Sequence, residues 1–461
     1  MSRNTKLIKG DKKVMNAWAF YDWANSVYPL VITTAIFPLF YEAKMPEVVE
    51  LLGGSFSRIS IYSYTIALSL LLVALMSPIL SGIADFVGNK KSFMKAFNYI
   101  GAASCIIIYF FESLPTIFQF VIILTANLGF WGSLVFYNSY LPEVAERKDH
   151  DKLSAKGFSL GYVGSVVLLV ISLMMVMGAE TGAERIQMMR YTFLMTGIWW
   201  FGFAQVTYYF LPNVEKGENL TKEALSSGYK ELQKVWKEFM KIKQLKRFLR
   251  AFFIYSMAVQ TIMTMAQFFG TSAVDWSVGL DIDFSYLSSE LTGDKLIVAK
   301  NANEVVSSRM QISMIVSIIL IQLIAIPGAF LFSYFSGKVG NIKVLIVAVS
   351  IWIGICGVAY FINTPYEFYS LAAVIGIVMG GIQALSRSTY SKMLPDTPDT
   401  TSYFSFFDVL EKVGMTIGII SFGFLENAFS IRYSVMALMS FFIVGLVLLF
   451  FVPKIGEEVG Q

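Results

Sequence analysis

Between residues 17 and 452 the chain carries about twelve apolar stretches of roughly 20 residues each, the length at which a helix rising 1.5 Å per residue crosses a bilayer core. These stretches predict helices at about 17–41, 59–81, 92–112, 116–140, 156–178, 190–211, 248–272, 309–335, 343–362, 367–390, 403–425 and 431–452. With 56% hydrophobic residues, 15% charged residues and 40 phenylalanines in 461 positions, the composition is that of a multi-pass membrane protein. The first stretch is too long for a signal-peptide core and has no small-residue cleavage site behind it, so it is expected to stay as a helix.

The twelve segments repeat as six and six. The polar turn Val87-Gly88-Asn89-Lys90-Lys91 returns as Val339-Gly340-Asn341-Ile342-Lys343, and Leu141-Pro142-Glu143 returns as Leu394-Pro395-Asp396 at nearly the same offset. The expected division is a first six-helix unit at 1–211, a linker at 212–247 and a second unit at 248–461. Two similar membrane halves suit alternating access, in which one half rocks on the other around a central site.

Charge supplies the orientation. The N-terminus and the loops on its side carry 25 of the 36 Lys and Arg residues, including ten between Lys216 and Arg250, against eight on the opposite side. The positive-inside rule then puts both termini in the cytoplasm. This asymmetry accounts for the net charge of +4 without a nucleic-acid partner. His150 is the only histidine, Cys105 and Cys356 are the only cysteines, and no GxxxxGK[ST] run occurs. A metal centre, a His-based triad, a disulfide framework, a nucleotide cofactor and enzymatic activity are therefore not expected.

In the linker, Leu225, Tyr229, Leu232, Trp236, Phe239 and Ile242 recur at three- and four-residue steps among lysines. They predict an amphipathic helix on the cytoplasmic leaflet, with a protein-partner helix as the competing reading. On the far side, 273–308 is the longest loop and carries Asp275, Asp281, Asp283, Glu290, Asp294 and Glu304; it reads as a solvated connection rather than a screen for cations.

Polar residues inside apolar segments are the site candidates, because a charge there is costly unless paired or wetted. In the first segment Trp18, Asp22, Asn25 and Pro29 share one helical face. In the eleventh, Asp408 and Lys412 form an acid-first i,i+4 pair with Glu411 beside them, and Arg387 approaches from the end of the tenth. These groups are expected to form one charged network that gates the cytoplasmic end, with a structural ion pair as the plainer reading and a coupling proton as a further role. Tyr28, Asn127, Trp131, Gln260, Thr264, Gln267 and Gln383 are the mid-membrane hydrogen-bonding and aromatic groups. Tyr28, Asn127, Trp131, Gln260 and Gln383 are the candidate contacts for a small polar solute; interhelical bonding is the alternative for each. Gly157-x-x-x-Gly161, Gly376-x-x-x-Gly380 and Gly414-x-x-x-Gly418 predict close helix contacts.

The turn Ser81-Gly82-Ile83-Ala84-Asp85-Phe86-Val87-Gly88-Asn89-Lys90-Lys91 resembles the signature between the second and third helices of the major facilitator superfamily. Asp85, Gly88 and Lys90 match, which implies a gating role for Asp85. Ser81 replaces the usual Gly, Phe86 the usual basic residue, and in the second half Gly337 stands where the acid belongs. Tyr21-Asp22-Trp23-Ala24-Asn25-Ser26 with Phe37-Pro38, Phe136-Tyr137-Asn138, and Gln383-Ala384-Leu385-Ser386-Arg387-Ser388 before Leu394-Pro395 resemble the vacuole-effluxer-like branch of that superfamily. Lys412 fits that branch, whereas Asp408 and Glu411 lie outside its pattern. The resemblance implies an all-α major facilitator fold of twelve transmembrane helices in two pseudo-symmetric halves, and efflux of amino acids or similar solutes.

The expected protein is thus a monomeric secondary transporter of a bacterial cytoplasmic membrane. It would move a small polar solute by alternating access, with a proton as the candidate coupling ion. A peptide or cell-wall-fragment permease, and a membrane receptor or scaffold that does not translocate, are the alternatives.

Overall fold

The computed structural model describes residues 9–51, 53–212, 222–280 and 294–453. The first spanning segment is not one regular helix. It comprises α1 (Lys12–Asn25), a π-helical segment Tyr28–Ala35 and α2 (Phe37–Lys44). Pro29 and Pro38 each lack a backbone donor, and the Ile36 N–H reaches back five residues to Val31 O at 2.9 Å, the signature of a widened turn. A short antiparallel hairpin follows, β1 (Val48–Leu51) and β2 (Gly54–Ser57), turning at Gly53 with φ +80°. No alternating pattern in the sequence announces it.

The remaining first-half helices are α3 (Arg58–Val87), α4 (Lys90–Ile108), α5 (Thr116–Ser139), the short α6 (Leu141–Val144), α7 (His150–Met177) and α8 (Gly182–Phe210). The linker helix α9 (Lys222–Phe239) leads to α10 (Lys243–Ala273), α11 (Asp294–Val339), α12 (Asn341–Ala359), α13 (Pro365–Met393), α14 (Thr400–Ala428) and α15 (Ile431–Phe450). Among the described residues nine helical spans are long and apolar enough to cross a membrane by length and composition. The other three of the twelve are α4, α8 and α14, which carry charged residues such as Lys95, Arg190 and Asp408.

Two expected boundaries move. The second spanning helix continues six residues past 81 to Val87, so Asp85 lies in its last turn and Gly88 caps it at φ +78°. The eighth begins at Asp294 rather than 309, making α11 46 residues and about 69 Å long, well beyond the bilayer core. Much of the expected 273–308 loop is therefore helix, because a polar segment can stay helical once it projects out of lipid. Asp281, Asp283 and Glu290 lie outside the described residues.

The core divides as the helices do. One cluster gathers buried side chains from Trp18 to Leu211; another runs from Val235 to Val452 and takes in Tyr162 of α7. Small residues let helices touch: a Cβ on Gly376 of α13 would stand 2.7 Å from Ile321 O of α11. Helix α9 packs against α3 and α14. Val235 and Phe239 are buried in the second-half core beside Phe406, while Tyr229 and Trp236 are about half exposed. This helix is docked on protein along one edge rather than resting wholly on a lipid surface.

Both described chain ends, Lys90, Arg147 and Lys392 lie at one end of the bundle, called here the basic face. Gly10 N–H bonds Val144 O, and Gln244 Nε2 donates to Pro453 O.

Candidate functional site

The seam between the halves carries three groups of charged side chains. About 15 Å along α1 from Lys12, Asp22 is buried. It faces Arg387 of α13, with Arg387 Nη2 3.4 Å from Asp22 Oδ2. Tyr137 Oη donates to the same oxygen at 2.8 Å. Nη1 of Arg387 donates to Asn138 Oδ1 at 3.2 Å, Nε to Ser154 Oγ at 3.0 Å, and Nη2 to Ser154 O at 3.1 Å. Ser154 Oγ in turn bonds Ala384 O at 2.7 Å. The guanidinium carbon lies 4.2 Å from the Phe158 ring and 4.9 Å from Trp18, and Trp18 Nε1 is fixed on Tyr137 O at 2.9 Å. An arginine held this way satisfies its donors in a fixed plane, as a buried guanidinium requires. Gly157 leaves room for the pair: a Cβ there would stand 2.5 Å from Asp22 Oδ2.

The second group is deeper. Lys412 Nζ lies 3.0 Å from Asp408 Oδ1, 2.7 Å from Glu411 Oε2 and 3.7 Å from the centre of the Trp131 ring on α5. Gln260 Nε2 of α10 donates to Glu411 Oε1 at 2.9 Å. One ammonium thus meets two carboxylates and an aromatic face, the last a favourable seat for a cation.

The third group closes the basic face. Asp85 accepts from the Ser402 N–H at 2.7 Å and the Thr401 N–H at 3.3 Å, capping the start of α14 where unpaired amides favour an anion. Lys90 Nζ lies 2.5 Å from Glu143 Oε1 and 4.1 Å from the Tyr140 ring. On the other side of the pseudo-symmetric arrangement, Asp151 of α7 takes Lys392 Nζ at 2.5 Å, Asn341 Nδ2 at 2.8 Å and Ser336 Oγ at 2.7 Å. Arg147 Nη2 adds a bond to Leu394 O at 2.9 Å. A cavity of about 470 Å³ lies here, lined in part by Lys9, Asp85, Lys90, Arg147 and Asp396.

Several expectations are corrected by this geometry. Asp22 and Arg387 do not join Asp408, Glu411 and Lys412 in one network: among the described residues no hydrogen bond or ion pair links the two groups, since each cation is consumed by its own acceptors. Among the described residues Asn25 makes no hydrogen bond to Arg387; its Oδ1 accepts from Ser26 Oγ at 3.3 Å and its Nδ2 has no hydrogen-bond partner there. Tyr28, expected at a solute site, is turned by the widened turn into the first-half core, 5.2 Å from the Phe130 ring and 5.6 Å from Trp200. Asn127 is buried one turn before Trp131 on α5. Gln260 and Trp131 belong to the Lys412 group. Gln383 accepts from Tyr162 Oη across the seam at 2.9 Å. Tyr137, Asn138, Asp151, Ser154 and Lys392 were not singled out as site residues. The Phe136-Tyr137-Asn138 motif pointed to two of them, and the acid missing at Gly337 was a cue to look for one elsewhere.

Comparison with known proteins agrees with this architecture. Over 455 residues the chain is 29% identical to an uncharacterized MFS-type transporter, YxiO, of Bacillus subtilis (strain 168), covering 97% of this chain and 96% of the relative. It is 24% identical to autophagy-related protein 22-1 of Aspergillus terreus, covering 83% of this chain and 72% of that one. The fucose:proton symporter FucP of E. coli in its outward conformation superposes with a TM-score of 0.66 at 12% identity, covering 96% and 99% of the two chains. The human organic anion transporter MFSD10 also gives 0.66, at 10% identity, covering 96% and 100%. The fold is that of the major facilitator superfamily, and the protein is a multi-pass membrane transporter. The family model described as vacuole effluxer Atg22 like matches residues 10–280 and 295–455, and the chain belongs to that family.

Proposed function

We propose that the chain is a secondary active transporter that moves a small polar solute, amino acids being the substrate class favoured, by alternating access between 1–211 and 248–461, with 212–247 as the connecting segment. The observation that carries this reading is the position of the links across the seam. Among the described residues, the ion pairs joining first-half to second-half helices and loops are Asp22–Arg387, Asp151–Lys392 and Arg147–Asp396, all toward the basic face. Such links hold that end shut while leaving the other end free to part, and they must break for the site to open inward. Asp22, Asp85 and Arg387 act as the gate on this reading. Asp408, Glu411 and Lys412 sit further in, as the group that responds to solute or to a coupling proton. Gln260, Gln383, Asn127 and Trp131 supply hydrogen bonds and an aromatic wall.

The lysine-rich loops support a cytoplasmic basic face with both termini inside. The similarity to a Bacillus subtilis protein over nearly its whole length supports a bacterial cytoplasmic membrane. The family's description as a vacuole effluxer supports export, and amino acids are the solute class that the sequence resemblance implies.

The test is counterflow in vesicles reconstituted with the purified protein and preloaded with an unlabelled amino-acid mixture. Labelled amino acid should accumulate transiently above equilibrium, and the Asp22→Asn protein should accumulate it at least fivefold more slowly. Absence of counterflow with amino acids, dipeptides and sugars alike overturns the transport reading in favour of a non-translocating receptor.

A further inference from the structure

We infer that Glu411, Trp131 and Asp408 form a cage for a primary ammonium group, that Lys412 occupies this cage as a tethered stand-in, and that the ammonium of the solute enters by displacing it. The inference rests on the proposed function only in taking the incoming ammonium to be part of a transported solute.

The seat of the Lys412 nitrogen is complete for an ammonium ion. Its three donors meet Asp408 Oδ1 at 3.0 Å, Glu411 Oε2 at 2.7 Å and the Trp131 face at 3.7 Å. The surroundings are not complete for the charges. Two carboxylates face one ammonium in a site where Asp408 and Lys412 are 4% and 1% exposed, so with both carboxylates ionised the cluster carries one more negative than positive charge inside the bundle. A second, independent sign is at the atoms: among the described residues Asp408 Oδ2 has no hydrogen-bond partner beyond the buried Ser77 hydroxyl of α3 that lies beside this carboxylate. A second ammonium would bring the cluster to neutrality.

The geometry also says which part yields. Lys412 and Asp408 are one turn apart on α14, so the lysine can move from Oδ1 to Oδ2 without leaving its helix. Glu411 has the most exposed side chain of the three, at 20%, and Gln260 holds its other oxygen from α10. An incoming ammonium would therefore take Glu411 and the Trp131 face, while Lys412 withdraws to Asp408. Because Trp131 belongs to the first half and Glu411 to the second, the occupant would bridge the seam.

The experiment is a thermal-shift titration of the full-length detergent-purified protein with methylammonium chloride, against potassium chloride at equal ionic strength. The parent should be stabilised by methylammonium and not by potassium. Lys412→Met, which empties the cage, should bind methylammonium at least tenfold more tightly, and Glu411→Gln should lose the response. Equal stabilisation by potassium, an undiminished response in Glu411→Gln, or a folded Lys412→Met that binds no more tightly overturns the proposal. If Lys412→Met does not fold, Glu411→Gln decides alone. Binding that behaves as stated in a protein that shows no counterflow would leave the cage standing and remove the transport reading.

Discussion

Arg387 Nη2 lies 3.4 Å from Asp22 Oδ2 across the seam between the halves, and both side chains are buried. A pair in this position gains little net stability from its formation, since both charges leave water, but losing one partner strands the other. The contact is therefore better suited to choosing between two arrangements of the halves than to holding the fold together.

Asp22→Asn should insert in the membrane normally yet be destabilised by about 3 kcal/mol, the cost typical of an uncompensated buried charge. Asp22→Asn/Arg387→Gln should recover part of that loss, read as melting temperature by intrinsic fluorescence. A double variant no more stable than the single one would mean that the pair is not the source of the effect.

Gly157→Ala tests the same contact without changing a charge. Its Cβ would stand 2.5 Å from Asp22 Oδ2, 3.1 Å from Arg387 Nη2 and 3.1 Å from Tyr137 Oη, so the pair must separate to admit a methyl group. Counterflow should fall about tenfold, an effect of the size that a 1–1.5 kcal/mol bias between states produces. Unchanged flux would show that the pair has slack.

Asp151→Asn should loosen the basic face by leaving Lys392 without its carboxylate. Ser391 is buried beside Lys392 and lines the cavity on that face, and both natural cysteines are buried. A Ser391→Cys reporter should react with a membrane-impermeant maleimide at least fivefold faster when combined with Asp151→Asn. Equal rates in both backgrounds would remove Asp151 from the gate.

Phe239→Ala should cost about 3 kcal/mol, because Phe239 is buried against Phe406 and Trp236 and its removal opens a cavity under the linker helix. Trp236→Ala, at a ring about half exposed, should cost under about 1 kcal/mol. Similar melting temperatures for the two variants would mean that α9 is not docked as described.

The spanning helices and their six-and-six repeat were legible because length and hydropathy are properties of single segments. What is decided between segments was not. The partners of Arg387 on α5 and α7 are 249 and 233 residues away in the chain, and nothing local in Ser154 marks it out. Asp151 shows the same limit: it occupies a charged turn that reads as solvated surface, and only docking of α7 against the α11–α12 turn buries it with Ser336 and Asn341. Asp408 with Lys412 was readable because an i,i+4 pair is written in one helix. Tyr28 was misjudged because a constant 3.6-residue period was carried through a stretch where the period changes.

That change of period has a consequence for how the chain tolerates alteration. Before the widened turn, α1 presents Asp22 to the opposite half; after it, Phe37 and Phe40 pack on Phe111 and Phe193 within their own half. Adding or deleting one residue between 28 and 35 would rotate everything on one side by about 100° relative to the other. Asp22 would then look into the first-half core, or the phenylalanines into the seam. Insertions and deletions should be least forgiven in these eight residues, although their side chains carry no charge at all.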